Sequence, residues 1–169
     1  MSEPKVLVAG VGNELKQDDA FGVEFTKAFS KKVTCPERIK VIEFGIGGIH
    51  LVQELHYEYD ILILVDAVEW GEEPGHLYFK EMEKVSDIED MPVFEKRTFL
   101  ADMHYTNPIR ALMLAKALKV LPKEVYILGC EAKEHDDFAL GMSDIVKKAI
   151  PLAIDKLASW LQIDEANTK

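Results

Sequence analysis

Four short stretches dominated by apolar residues punctuate the chain: KVLVA at 5–9, IKVIEF at 39–44, ILILV at 61–65 and EVYIL at 124–128. The third is apolar without alternation, the pattern of a strand buried on both faces in a parallel sheet covered by helices. HLYFK at 76–80 alternates instead and predicts an antiparallel edge strand. Between these runs the period changes. Phe21, Phe25, Ala28 and Phe29 line one helical face, and Ile49, Val52 and Leu55 line a shorter one. Ile109, Leu112 and Met113 follow Pro108, a residue suited to a helix's first turn. A closing helix is predicted over 143–162, kinked or divided by Pro151. Residues 81–100 are acidic and mixed, with Pro92 interrupting, and read as loop and short helix.

Strands alternating with helices predict one α/β domain over 1–169, a three-layer sandwich. The expected sheet is mixed and five-stranded, mostly parallel with one antiparallel edge strand, with helices on both faces. Right-handed crossovers place the first and third strands side by side, so the loops that follow them open on one edge of the sheet. In such sheets ligands bind beyond the carboxyl ends of the central strands. That makes Asp66, directly after ILILV, the first candidate for chemistry, with Asp18 and Asp19 brought near it. Asp18 or Asp19 is also placed to cap the Phe21 helix, Asp18 serving mainly as cap or supporting acceptor. Gly22 is expected to let that helix pack closely on the sheet.

Thirty acidic against twenty basic residues give a formal net charge of -10, which argues against nucleic acid or an anionic membrane as main partner. Cys35 and Cys130, without CxxC spacing, form neither a disulfide framework nor a zinc ribbon and suit a reducing cytoplasm. The amino terminus lacks the basic and apolar regions of a signal peptide, and no apolar run is long enough to span a membrane.

Gly10-Val11-Gly12-Asn13 after a strand is a weak dinucleotide signal, because Leu15 stands where GxGxxG needs its third glycine. No GKS or GKT exists for a P-loop. Carboxylates converging at one sheet edge repel unless a proton or cation lies between them. An added imidazole makes the set typical of a divalent transition-metal site with open positions. His104 is the preferred imidazole, just before a predicted helix, with Asp102 placed to orient its ring. His50 and His56 read as solvated residues on a helix, and His76 and His135 as surface residues. HExxH and GxSxG are absent, and neither cysteine stands in a nucleophile context.

The order of these pieces resembles the hydrogenase maturation proteases. The likeness runs through Val8-Ala9-Gly10-Val11-Gly12-Asn13, Asp18-Asp19-Ala20-Phe21-Gly22-Val23 and Glu43-Phe44-Gly45-Ile46-Gly47-Gly48. It continues through Val65-Asp66-Ala67, Pro74-Gly75, His104, Ile127-Leu128-Gly129-Cys130-Glu131 and Leu140-Gly141-Met142-Ser143. The resemblance implies an endopeptidase that trims the C-terminus of a [NiFe] hydrogenase large-subunit precursor after nickel insertion. It implies metal contact through Asp19, Asp66 and His104, with nickel carried by the substrate and cadmium able to replace it. Glu43, matching an Asp that usually opens the family's glycine-rich turn, is carried over as a further candidate catalytic residue. The resemblance also implies a monomer that works transiently on a larger partner, with Trp70, Tyr105 and Phe138 available for contact.

Two other classes fit parts of the pattern. A receiver-type signalling domain also has an acidic pair after its first strand and a phospho-acceptor, here Asp66, ending its third. Against it, residues 10–17 separate that pair from the strand. A noncatalytic metal- or partner-binding α/β protein would need the same carboxylate cluster and no cleavage.

Overall fold

The computed structural model describes residues 2–101, 107–133 and 140–163. The apolar runs become five strands, β1 (Val6–Val11), β2 (Ile39–Gly45), β3 (Ile61–Val68), β4 (Leu77–Glu81) and β5 (Glu124–Glu131). They form one sheet in the order β2-β1-β3-β5-β4. All neighbours are parallel except β4 with β5, so β4 is the antiparallel edge strand. The first and third strands do lie side by side, Val8 opposite Ile63 and Gly10 opposite Val65.

Alternation along the strands feeds two cores. Val6, Val8, Ile61, Ile63 and Val65 meet α1 (Phe21–Lys32) and α5 (Asp144–Trp160) on one face. Leu7, Ala9, Leu62 and Leu64 meet α2 (Gly48–Leu55), Phe99 of α3 (Val93–Ala101) and α4 (Pro108–Ala117) on the other. The four-residue spacing of Phe21, Phe25 and Phe29 puts all three rings on one side of α1, where each is fully buried. Each contributes about 1.5–3 kcal/mol of apolar burial. Among the described residues no helix is long and apolar enough to cross a membrane.

Several expectations change. β1 runs two residues past the apolar run, and β3 and β5 run three past theirs, so Asp66 lies within β3, opposite Gly129. Residues 81–100 hold more helix than the mixed pattern suggested, a 3-10 turn at Ile88–Asp90 and most of α3. Pro151 does not divide α5. It sits on the exposed side, and the carbonyl it leaves without a partner belongs to Lys147, also exposed, where water can satisfy it. Neither Asp18 nor Asp19 caps α1 with its side chain, because both lie in a 3-10 turn, Gln17–Ala20, that leads directly into that helix.

Gly22 fixes how α1 meets the sheet. A Cβ there would lie 2.1 Å from the carbonyl oxygen of Val65 and 2.3 Å from that of Val11. The helix therefore starts in direct contact with the backbones of both central strands. Gly→Ala within a helix ordinarily stabilises by about 1 kcal/mol. Here Gly22→Ala is expected to destabilise by roughly 1–3 kcal/mol, the range for overpacking. Urea unfolding checks it, and a gain in stability would contradict the close contact.

Candidate functional site

Beyond the carboxyl ends of β1 and β3, a cavity of about 310 Å3 is lined by Gly12, Asn13, Lys16, Asp19, Ile46, Asp66 and Pro108. The chain leaves β1 through α1 toward β2 at one edge of the sheet and leaves β3 toward β4 at the other, the arrangement that opens a ligand crevice in α/β folds. Gly12, at φ 127°, turns the chain out of β1, and a Cβ on it would lie 2.0 Å from the Asp19 carbonyl oxygen and 3.6 Å from Asp66 Oδ1. Glycine suits both that left-handed φ and the close approach of the Asp19 carbonyl. Asn13 then folds the loop on itself. Its side chain accepts from the Leu15 amide at 2.9 Å, and its own amide donates to Asp19 Oδ2 at 2.8 Å.

Asp66 and Asp19 thus face one cavity from different strands' ends. Burial raises the Asp66 carboxyl well above its ordinary range, the Asp19 charge raises it further, and the Ala67 amide opposes both. A divalent cation between the two carboxylates would remove both the repulsion and much of the burial cost. Among the described residues no set of three His, Cys, Asp or Glu converges for such an ion. His104 and Asp102 lie outside the described residues, as do Tyr105, His135 and Phe138.

Glu43 is not brought into this cavity. Alternation along β2 puts it with Val41 on the α1 face, beside Thr26, Lys27 and Ser30, its carboxylate 4.0 Å from the Lys27 ammonium. Asp18, fully buried, points away from the cavity as well. Its Oδ1 accepts from the Ser143 amide at 2.6 Å, and its Oδ2 accepts from the Ser143 hydroxyl at 2.8 Å and the Lys133 amide at 2.9 Å.

Glu131 is a residue whose role the sequence pattern does not reveal. It is buried at the end of β5 and accepts from the Trp70 and Gly71 amides and the Tyr78 hydroxyl. Burial pushes its carboxyl upward, but the Tyr78 hydroxyl and the loop amides outweigh it and hold the group below the usual range. The loop leaving the Asp66 strand is thereby tied to its neighbour. Burial, with Asp18 and Glu131 nearby, pushes the Cys130 thiol up to about 12, so it stays protonated at neutral pH and is no nucleophile.

The Asp66 shift has a definite sign for stability. Its folded-state value lies above the unfolded one, so its stabilising contribution is full at acid pH and is lost as pH rises through the folded value. In chelator at pH 7, Asp66→Asn is therefore expected to melt higher than wild type. The gain accrues as pH rises from the unfolded carboxyl value toward the folded one, and each kcal/mol of it is roughly 2–4 °C. The difference should vanish below about pH 4, near the unfolded carboxyl value. Circular dichroism melts at the two pH values check this, and a lower melting point for the variant at pH 7 would contradict it.

Comparison with known proteins bears on the fold and the family. The family model described as hydrogenase maturation protease matches residues 23–160. The chain is 34% identical over 169 residues to the coenzyme F420 hydrogenase subunit delta of Methanothermobacter thermautotrophicus, covering 96% of this chain and 98% of that protein. It is 31% identical over 160 residues to the hydrogenase expression/formation protein HupD of Thiocapsa roseopersicina, covering 95% of this chain and 69% of that one. A crystal structure of a hydrogenase 2 maturation peptidase from a Thaumarchaeota archaeon superposes with a TM-score of 0.69 at 29% identity, over 95% of this chain and 99% of that one. The hydrogenase maturating endopeptidase HybD from E. coli shares the fold, with a TM-score of 0.74 at 22% identity over 94% of this chain and 92% of that one. By sequence over most of its length, this chain belongs to the hydrogenase maturation proteases.

Proposed function

We propose that this protease removes the C-terminal peptide of a [NiFe] hydrogenase large-subunit precursor, and that Asp19, Asp66 and His104 recognise the nickel the precursor already carries. The observation that supports it most is the Asp66 carboxyl, held against its ionisation beside Asp19 at the mouth of the central crevice. A substrate bringing its own dication supplies the positive centre that these two carboxylates lack. A substrate without it would present cysteine thiolates to two carboxylates, and like charges would oppose docking. His104 stands four residues before Pro108, which lines the cavity, a span of at most about 14 Å of extended chain. Its imidazole would complete a mixed oxygen–nitrogen donor set that suits nickel and admits cadmium. Glu43, on the α1 face beside Lys27, is left out of that set.

The protein works in the cytoplasm, where its half-buried Cys35 and buried Cys130 stay reduced. It acts as a 19.1 kDa monomer that meets its partner transiently. Sedimentation of the free protein should give that mass.

Purified protein is to be incubated with the cognate precursor, loaded with nickel or free of it, and loss of the C-terminal peptide followed by mass. Cleavage of the loaded form alone is expected. Equal cleavage of both would refute the nickel gate. Asp66→Ala and His104→Ala should each reduce processing at least about 100-fold, as loss of a group that positions the reacting centre does, with circular dichroism unchanged. Wild-type rates in either variant would remove that residue from the site.

A further inference from the structure

We infer that Asp18 is a positioning residue for the metal-binding carboxylate: it anchors the turn that carries Asp19 to Lys133 and Ser143, and so sets where the Asp19 side chain stands. This rests on the reading of Asp19 as a metal ligand. The two adjacent aspartates are used in opposite ways. Asp19 lines the cavity, whereas Asp18 is fully buried and absent from the cavity wall. Both Asp18 oxygens are engaged by donors 115 and 125 residues along the chain. Asp18 itself is therefore unavailable as a ligand.

The Gly22 contact holds the turn from the side of α1, and Asp18 ties it to Lys133 and Ser143. The turn spans Gln17–Ala20 without a side-chain cap, and Gln17 adopts a left-handed φ of 46°, an uncommon conformation for a non-glycine residue. Asp19 follows Asp18 by one Cα step of about 3.8 Å, so displacement of the Asp18 anchor passes directly into Asp19. Two contacts report where Asp19 then stands, the Asn13 amide on its Oδ2 at 2.8 Å and Gly12 packed against its carbonyl.

The donors require a carboxylate at position 18. The Ser143 amide points at Oδ1 and the Lys133 amide at Oδ2. A carboxamide offers one acceptor oxygen and one donating NH2. In either orientation that NH2 faces a backbone N–H that can only donate. Asp18→Asn, almost identical in size, therefore breaks the anchor through hydrogen-bond polarity alone. The hydroxyl of Ser143 adds a third contact that can be removed separately, leaving the carboxylate and both amides in place.

The test measures cadmium affinity of wild type, Asp18→Asn and Ser143→Ala by calorimetry, well below each protein's melting temperature. It also follows the Asn13 amide by hydrogen exchange in the metal-free proteins. Asp18→Asn is expected to weaken cadmium binding by about 10–100-fold, as loss of a group that orients a metal ligand does. It should also speed Asn13 exchange while the amides of β1 stay protected. Ser143→Ala should move both readouts in the same direction by a smaller factor, and it carries the test if Asp18→Asn does not fold. A purely stabilising role would lower melting temperature and leave both readouts at wild-type values in the folded variants, and that result overturns the inference. If wild type itself binds no cadmium, the metal reading fails instead, and Asn13 exchange still decides whether Asp18 positions Asp19. Unchanged exchange then overturns the inference, and faster exchange supports it.

Discussion

The site depends on one close contact, the start of α1 resting on the backbones of β1 and β3 at Gly22. Side-chain packing normally holds a helix about 10 Å from a sheet, with some freedom to shift. Here the absence of a Cβ lets carbonyl oxygens of Val11 and Val65 approach the helix itself. The first turn of α1 is then fixed relative to both strands at once, and the 3-10 turn ahead of it is fixed with it. Three buried phenylalanines on the same helix anchor its length. Asp19 on that turn and Asp66 on β3 inherit a separation that backbone contact sets, which loop flexibility would otherwise blur.

Around this contact the protein treats its buried carboxylates unequally. Glu131 is surrounded by amides and a tyrosine hydroxyl and is held below its usual range. Asp18 has donors on both oxygens. These two connect segments distant in sequence, and their full hydrogen bonding makes their burial tolerable. Asp66 differs, since burial raises it and the carboxylate of Asp19 raises it further. A carboxyl left in that state within a protein that satisfies its buried acids fits a site where the missing partner arrives from outside.

Much of this was legible in the sequence. Buried strands advertise themselves by apolar runs, and right-handed crossovers then force the β1 and β3 ends together, which is why Asp19 and Asp66 could be paired in advance. What hydrophobicity could not show was where ladders end. Asp66, Ala67 and Val68 continue to pair with Gly129, Cys130 and Glu131 after the apolar signal has stopped. α3 was underestimated because its apolar residues have no helical period, Val93 and Phe94 being exposed while Phe99 is buried. Asp18 looked like a helix cap because caps are local, whereas its partners are reached only through the tertiary fold. Glu43 was carried over by resemblance, and strand alternation sends it to the α1 face.

The central claim is that topology and backbone contact set two carboxylates against each other at one crevice. Its most direct test is the titration of the Asp66 side-chain carbon by NMR in metal-free protein, in wild type and in Asp19→Asn. The account predicts an Asp66 carboxyl well above the ordinary range in wild type, lowered when the Asp19 charge is removed yet still raised by burial. An Asp66 that titrates in the ordinary carboxylate range, unmoved by the change at position 19, would contradict it.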